Sequence, residues 1–163
     1  MNFTIEATTE KQTLAECADM MCKTDPWITL KRDHAGCLEA LHGNYKEVYV
    51  AKRNRELLGF IVLQMQGAFK GYIQSICVAP DAQGAGIGTS LIQFAEKRIF
   101  LVSPNVFMLV SAFNTKAAEL YTRLGYEQVG ILKNYAVDGY DELLLRKTMG
   151  SLHSFQKTQL YNK

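Results

Sequence analysis

The sequence predicts an α/β (α+β) domain: a mixed, mostly antiparallel sheet of about seven strands flanked by about four helices. Three observations carry this expectation. Apolar residues recur with period two over Val48–Ala51 and Leu57–Met65, on either side of the turn-forming Arg53-Asn54-Arg55-Glu56. A glycine-rich loop separates the β-favouring run Tyr72–Val78 from a long amphipathic run, about Gly88 to Arg98. Strand and helix patterns then alternate, so the full order reads β-α-α-β-β-β-α-β-α-β-β, with both faces of the sheet needing helical cover.

The elements follow in order. Thr4–Ala7 alternates as a short strand. Thr9–Cys22 carries Leu14, Ala15, Ala18, Met21 and Cys22 as a helical stripe, with Thr9 as the expected N-cap. Asp25-Pro26-Trp27 breaks it, and a second helix runs over Asp33–Leu41 to a stop near Gly43-Asn44. After the hairpin, Gly67 and Gly71 bracket a turn into Tyr72–Val78. The helix beyond the glycine loop turns Leu91, Ile92 and Ala95 inward, and Pro104 separates it from a strand over Val106–Ser111. Thr115–Leu124 is a helix ended by Gly125, a typical residue just past a helix terminus. Strands over Gln128–Leu132 and Glu142–Lys147 complete the set.

Composition narrows the class. With 48% hydrophobic and 21% charged residues, the 163-residue chain is expected to be one soluble globular domain over residues 1–150. Residues 151–163 form a polar C-terminal tail without clear periodicity, open to reading as a free tail, a docking arm or a fraying helix. Eighteen Lys and Arg against sixteen Asp and Glu leave a net charge of +2, which speaks against nucleic-acid or membrane-surface partners. The longest apolar run, Leu57–Leu63, is far short of the ~20 residues needed to cross a bilayer. The start Met1-Asn2-Phe3-Thr4 lacks the pattern of a secretory leader. Cys17, Cys22, Cys37 and Cys77 have no CxxC spacing and His34, His42 and His153 are scattered, so reduced thiols in a cytoplasm are expected and no metal site.

The richest chemical signal is Val78-Ala79-Pro80-Asp81-Ala82-Gln83-Gly84-Ala85-Gly86-Ile87-Gly88-Thr89. Alternating glycines before a long helix let backbone N–H groups converge on a ligand. The helix N-terminus adds its dipole and unpaired donors, so the ligand expected is an anion, foremost a pyrophosphate. A phosphate-binding loop of the GxxxxGK[ST] type is disfavoured, because no Lys follows Gly86 or Gly88. A dinucleotide fingerprint fits poorly, because Thr89 stands where its third glycine belongs and the next strand ends Leu109-Val110-Ser111 without a ribose-binding acid.

Gln83-Gly84-Ala85-Gly86-Ile87-Gly88 resembles the Gln/Arg-x-x-Gly-x-Gly/Ala motif of the GNAT superfamily of acetyl-CoA-dependent N-acyltransferases. Ile76-Cys77-Val78-Ala79-Pro80 is similar to that family's fourth strand and its Val-x-Pro exit. Asn114-Thr115-Lys116-Ala117-Ala118-Glu119-Leu120-Tyr121-Thr122-Arg123-Leu124-Gly125-Tyr126 is similar to its Asn-x-x-Ala-x-x-Leu-Tyr-x-x-x-Gly-Phe segment. With the element order, the resemblance covers about residues 3–148. It implies a sheet splayed between strands four and five after Val78 and Leu109, with pantetheine lying in the gap as an extra strand against Ile76, Cys77 and Val78. It implies that Gln83, Gly84, Ala85, Gly86, Ile87, Gly88 and Thr89 hold the CoA pyrophosphate. Asn114, Ala117 and Tyr121 are implied at the pantetheine, with Tyr121 beside the sulfur.

The chemistry implied is acetyl transfer from a thioester to a primary amine through a tetrahedral intermediate. A backbone N–H near Val78 would serve the oxyanion, and Tyr121 would be the general acid for the departing thiolate. Relatives carry a Glu base at the positions of Leu109 or Tyr72, and neither residue here is a carboxylate. Tyr72 and Gln74 are candidates to hold a water. Asp138, Asp141 and Glu142 near the last strands are possible bases, but acids there are more often solvated turn residues, so a water chain, or an amine that loses its proton in solution, is expected instead of one named base. Acceptor recognition is expected from Trp27, Ile28, Thr29, Arg32 and Asp33 on one side, and Tyr135 and Tyr140 on the other. The acceptor is a small-molecule or peptide/protein amine, and the chain a monomer or homodimer. The competing reading is a non-catalytic acyl-CoA-binding module.

Overall fold

The computed structural model describes residues 2–161. Seven strands form one sheet in the order β1-β2-β3-β4-β5-β7-β6. They are β1 (Thr4–Ala7), β2 (Lys46–Arg53), β3 (Glu56–Gln64), β4 (Tyr72–Val78), β5 (Asn105–Ser111), β6 (Glu127–Leu132) and β7 (Glu142–Thr148). The helices are α1 (Lys11–Cys22), α2 (His34–Leu41), α3 (Ile87–Phe100), α4 (Thr115–Arg123) and α5 (Leu152–Tyr161). All neighbouring strands are antiparallel except β4 and β5. The expected architecture and element order are therefore present.

The continuous apolar run of β3 has a direct cause: the strand is buried on both faces. Phe60 and Val62 point to α1 and α2, where Leu14, Cys17, Ala18, Met21, Cys37 and Leu41 meet them. Ile61 and Leu63 point to the opposite layer, against Leu91, Ile92, Ala95 and Ile99 of α3. Asn54, at φ 59°, makes the two-residue hairpin turn between β2 and β3. Asp33 caps α2 as its side chain accepts from the Gly36 N–H at 2.8 Å.

One local expectation changes: Thr9 does not cap α1. The N-cap is Glu10, whose side chain accepts from the Thr13 hydroxyl at 2.6 Å instead of from a helix N–H, and whose own N–H donates to Thr8 Oγ1 at 3.2 Å. The polar tail resolves as α5, because Ser151 opens it by accepting the Ser154 N–H on its hydroxyl at 3.1 Å; residues 162 and 163 of that expected tail lie outside the described residues.

The splay between β4 and β5 is present but begins earlier than expected on β4. Pairing is confined to Tyr72↔Phe107 and Ile73↔Met108, so the strands part at Gln74 and Leu109, not after Val78. The cause lies in the β3–β4 register, which shifts between Val62 and Leu63 and places an extra β4 residue there. Such a bulge bends its strand and increases its twist, and here it turns β4 away from β5.

Candidate active site

The gap between β4 and β5 is lined by unpaired backbone. Ala79 N–H donates to Leu58 O at 2.9 Å, which fixes the alternation along β3–β4. Cys77 then pairs with β3, while Ile76 and Val78 turn their N–H and C=O groups into the gap. Across it, Ala112 N–H donates to Asp141 O at 2.9 Å, so Leu109 and Ser111 face away from β7 and into the same gap. The alternation places Ile76 and Val78, two of the three strand-four residues implied at the pantetheine, with their polar edges open; the side chain of Cys77 is buried against the α1–α2 layer. The Val78 carbonyl takes one bond, from the Gln83 side-chain amide at 3.3 Å, at the glycine-loop end of the gap.

The glycine loop closes one end of the gap. Gly84 (φ 75°) and Gly86 (φ 78°) both occupy the left-handed region, and a Cβ at either would meet no atom within 4 Å. The loop therefore needs glycine for conformation, and the space above it is open to a ligand. Gly86 is the N-cap of α3 and offers no side-chain acceptor, so the first-turn N–H groups of Ile87, Gly88 and Thr89 stay free for an anion. Ala85 turns the other way and packs against the α3 side of the core. An uncapped helix end, two open glycines and an unpaired strand edge fit the pyrophosphate and pantetheine of a CoA thioester.

Asn114 caps α4, its side-chain oxygen accepting from Ala117 N–H at 3.3 Å. This cap places Tyr121 two turns along the helix, with its ring edge-on to Tyr126 at 6.1 Å. Tyr121 is 7% exposed, and burial pushes its phenol up to about 12. It holds its proton throughout neutral pH, as a proton donor must.

Opposite, the sheet carries a carboxylate whose sequence surroundings favour a solvated turn. Glu142 is 6% exposed at the start of β7, directly across from Ser111, whose hydroxyl donates to Glu142 Oε1 at 2.7 Å. Burial raises its carboxyl above the ordinary range, partly offset by that hydrogen bond. Tyr72 stands beside it: burial pushes its phenol up to about 12, with Tyr135 and Glu142 adding to the rise, while the Leu109 N–H bonded to its hydroxyl opposes it. The signal that Glu142 faces inward lies in the pairing of β5 with β7, a long-range register with no local signature.

These groups border one cavity of about 1330 Å³. Of the residues singled out in the sequence, Trp27, Tyr72, Gln74, Ile76, Cys77, Val78, Gln83, Gly84, Gly86, Ile87, Gly88, Thr89, Asn114, Ala117, Tyr121 and Tyr135 line it, as do Ile28 and Arg32. Others point elsewhere. The Thr29 hydroxyl donates to Asp25 Oδ1 at 2.7 Å, and the Tyr140 ring packs on Phe113 at 5.2 Å. Gln74, which lines the cavity, also donates its amide to Ala40 O at 3.0 Å and so ties β4 to α2. Among the described residues, no group of three or more His, Cys, Asp and Glu side chains comes together as a metal-ligand set, and no helix is long and apolar enough to cross a membrane.

Residues 13–126 match the acetyltransferase (GNAT) family. An N-alpha-acetyltransferase of Sulfurisphaera tokodaii is 31% identical over 110 residues, 60% of this chain and 66% of that protein, so the match spans just under two thirds of the relative's length. Among solved structures, the ribosomal-protein-S18-alanine N-acetyltransferase from Escherichia coli superposes with a TM-score of 0.75 at 18% identity, over 92% of this chain and 96% of that one. An aminoglycoside 6'-N-acetyltransferase complexed with coenzyme A superposes with a TM-score of 0.71 at 18% identity, over 93% of this chain and 98% of that one.

Proposed function

Because the chain belongs to the GNAT family of acetyltransferases, we propose that it transfers the acetyl group of acetyl-CoA to a primary amine, with the α-amine of a peptide or protein as the leading acceptor class. The observation that carries this reading is the β4–β5 gap. Its open backbone at Ile76 and Val78 runs from the glycine loop to the Tyr121 side of one cavity. The relatives named as N-alpha-acetyltransferases support the acceptor class.

Acetyl-CoA, when bound, supplies a thioester carbonyl that an amine attacks. The chain's own groups do the rest. The loop N–H groups and the α3 dipole hold the anionic end. The free edges of Ile76 and Val78 align the pantetheine amides as an added strand. A backbone N–H on the free edge of β4, near Val78, is the donor for the developing oxyanion, and the Tyr121 hydroxyl protonates the departing sulfur. Trp27, Ile28 and Arg32 on one wall and Tyr135 on the other bound the acceptor's path.

The test is release of free thiol from acetyl-CoA across a panel of small amines and peptides with free N-termini. Turnover with peptides, verified by the mass of the acetylated product, is the expected result. Calorimetric binding of acetyl-CoA with no turnover on any amine supports the non-catalytic acyl-CoA-binding reading instead.

A further inference from the structure

The catalytic reading leaves one step without a group to perform it. An amine acceptor is mostly an ammonium at neutral pH and has no lone pair to attack with, so a proton must leave first. Neither Leu109 nor Tyr72 is a carboxylate that could take it.

We propose that Glu142 is the general base of this site, with Ser111 positioning its carboxylate and the acceptor amine approaching from the Tyr72–Tyr135 side. The proposal rests on the acetyltransferase reading above. Three geometric facts carry it. First, Glu142 and Ser111 are direct cross-strand partners at the cleft end of β5 and β7, and both line the cavity. Their pair is of the non-hydrogen-bonded kind, the closer of the two spacings in an antiparallel ladder, which lets two short reaches meet. Second, the Ser111 hydroxyl engages Oε1, while Oε2 accepts no hydrogen bond among the described residues. One oxygen is held and the other is left to receive a proton. Third, the carbonyl of the same Ser111 accepts the Asn114 N–H at 2.8 Å, at the cap of the helix that carries Tyr121. One strand end therefore anchors both the proton donor and the proton acceptor.

The proton balance closes. The acceptor ammonium gives one proton to Glu142 and its nitrogen lone pair forms the bond to the thioester carbonyl carbon. The carbon–sulfur bond breaks with its electron pair on sulfur, which takes the Tyr121 proton. The amide nitrogen's second surplus proton leaves to solvent, Tyr121 regains its proton from solvent, and Glu142 returns its own there. The titratable group beside the carboxyl is Tyr72 from β4, which Tyr135 of the β6–β7 connection adjoins in turn, and no cation contributes to the Glu142 shift. Its titration therefore sets the acid limb of the rate profile.

The test is the pH profile of kcat/KM for the full chain and two variants, with acetyl-CoA binding followed by calorimetry. Glu142→Gln keeps the shape and an oxygen for Ser111. It is expected to lose ~10²–10⁴-fold in kcat/KM at neutral pH and to flatten the acid limb while acetyl-CoA affinity stays unchanged. The loss should shrink for an aromatic amine, which is already neutral and needs no base. Ser111→Ala should move the acid limb to higher pH, because the hydrogen bond that favours the carboxylate is gone; a merely structural serine would lower activity without moving it. Wild-type activity in Glu142→Gln, or an equal loss for aromatic and aliphatic amines, overturns the proposal. Acetyl-CoA binding without turnover by the wild type on any amine overturns the activity itself, and this role with it.

Discussion

Gly59 on β3 lies directly across from Val78 on β4, and a Cβ built on Gly59 would stand 2.7 Å from the Cys77 carbonyl oxygen and 3.2 Å from Val78 Cα. Both are backbone atoms with no side-chain rotamer to give way. The close approach holds β4 at the point where its free edge faces the cleft. Gly59→Ala is therefore expected to cost about 1–3 kcal/mol of stability through overpacking. By pushing β4 at Val78 it should also weaken acetyl-CoA binding. Thermal unfolding and calorimetry check the two effects together; full affinity in a destabilised variant would separate the Gly59 contact from the cleft.

Tyr121→Phe removes the hydroxyl and keeps the ring that meets Tyr126. Because burial pushes the phenol up to about 12, the wild-type hydroxyl is a proton donor throughout neutral pH. The variant should lose ~10²–10⁴-fold in kcat with KM for acetyl-CoA near the wild-type value. Steady-state kinetics decide it, and unchanged kcat removes Tyr121 from the mechanism.

Two loop glycines should respond differently to the same kind of change. Gly86 sits at φ 78° with open space beyond its Cα, so Gly86→Val both strains the backbone and fills the ligand's volume. Gly88 has ordinary helical conformation, and its added Cβ would meet only Val78 Cγ2 at 3.6 Å. Gly88→Ala should fold as well as the wild type or gain up to ~1 kcal/mol in helix propensity. Calorimetry with CoA should show a loss of more than tenfold for Gly86→Val; equal affinities for Gly86→Val and the wild type would refute the anion-binding loop.

The thiols give a fourth readout. Burial pushes Cys17 and Cys77 up to about 12 and Cys37 up to about 11, leaving almost no thiolate at neutral pH. A maleimide reagent should label the half-buried Cys22 first in the native chain, and the other three only with unfolding. Rapid labelling of Cys17, counted by mass spectrometry, would contradict the packing of α1 on β3.

What the sequence revealed and what it concealed divide along a physical line. The glycine loop, the start of α2 near Asp33 and the alternating face of β2 are set by neighbours within a few residues, and each was readable there. The early parting of β4 from β5 was not, because it depends on a bulge in the β3–β4 register. The burial of Glu142 was hidden for the same reason. Its flanking Asp138, Gly139 and Asp141 look like an exposed turn, and only pairing with Ser111, thirty-one residues away, turns its carboxyl inward. Thr29 and Tyr140 have partners, Asp25 four residues away and Phe113 far along the chain, that their own sequence neighbourhoods do not announce.

The buried carboxylate should also leave its mark on stability. Folding raises the Glu142 carboxyl above its unfolded value, so the native state binds the proton more tightly than the unfolded chain. Its contribution is most favourable below the unfolded pKa and is lost as pH rises through the folded one. Glu142→Gln removes that titration while keeping an acceptor for Ser111. Relative to the wild type, the variant should gain stability as pH rises from the acid range to neutral, and lose that gain on acidification. All other titrating groups are common to both chains and cancel in the difference. Melting temperatures of the two proteins across this range give the answer. A difference that is flat in pH would mean that the carboxyl titrates alike in the folded and unfolded chains, and a difference of opposite slope would mean that the fold stabilises the charge. The expected slope pairs a gain in stability with a loss of turnover, the pattern of a group held at a site for chemistry and not for the fold.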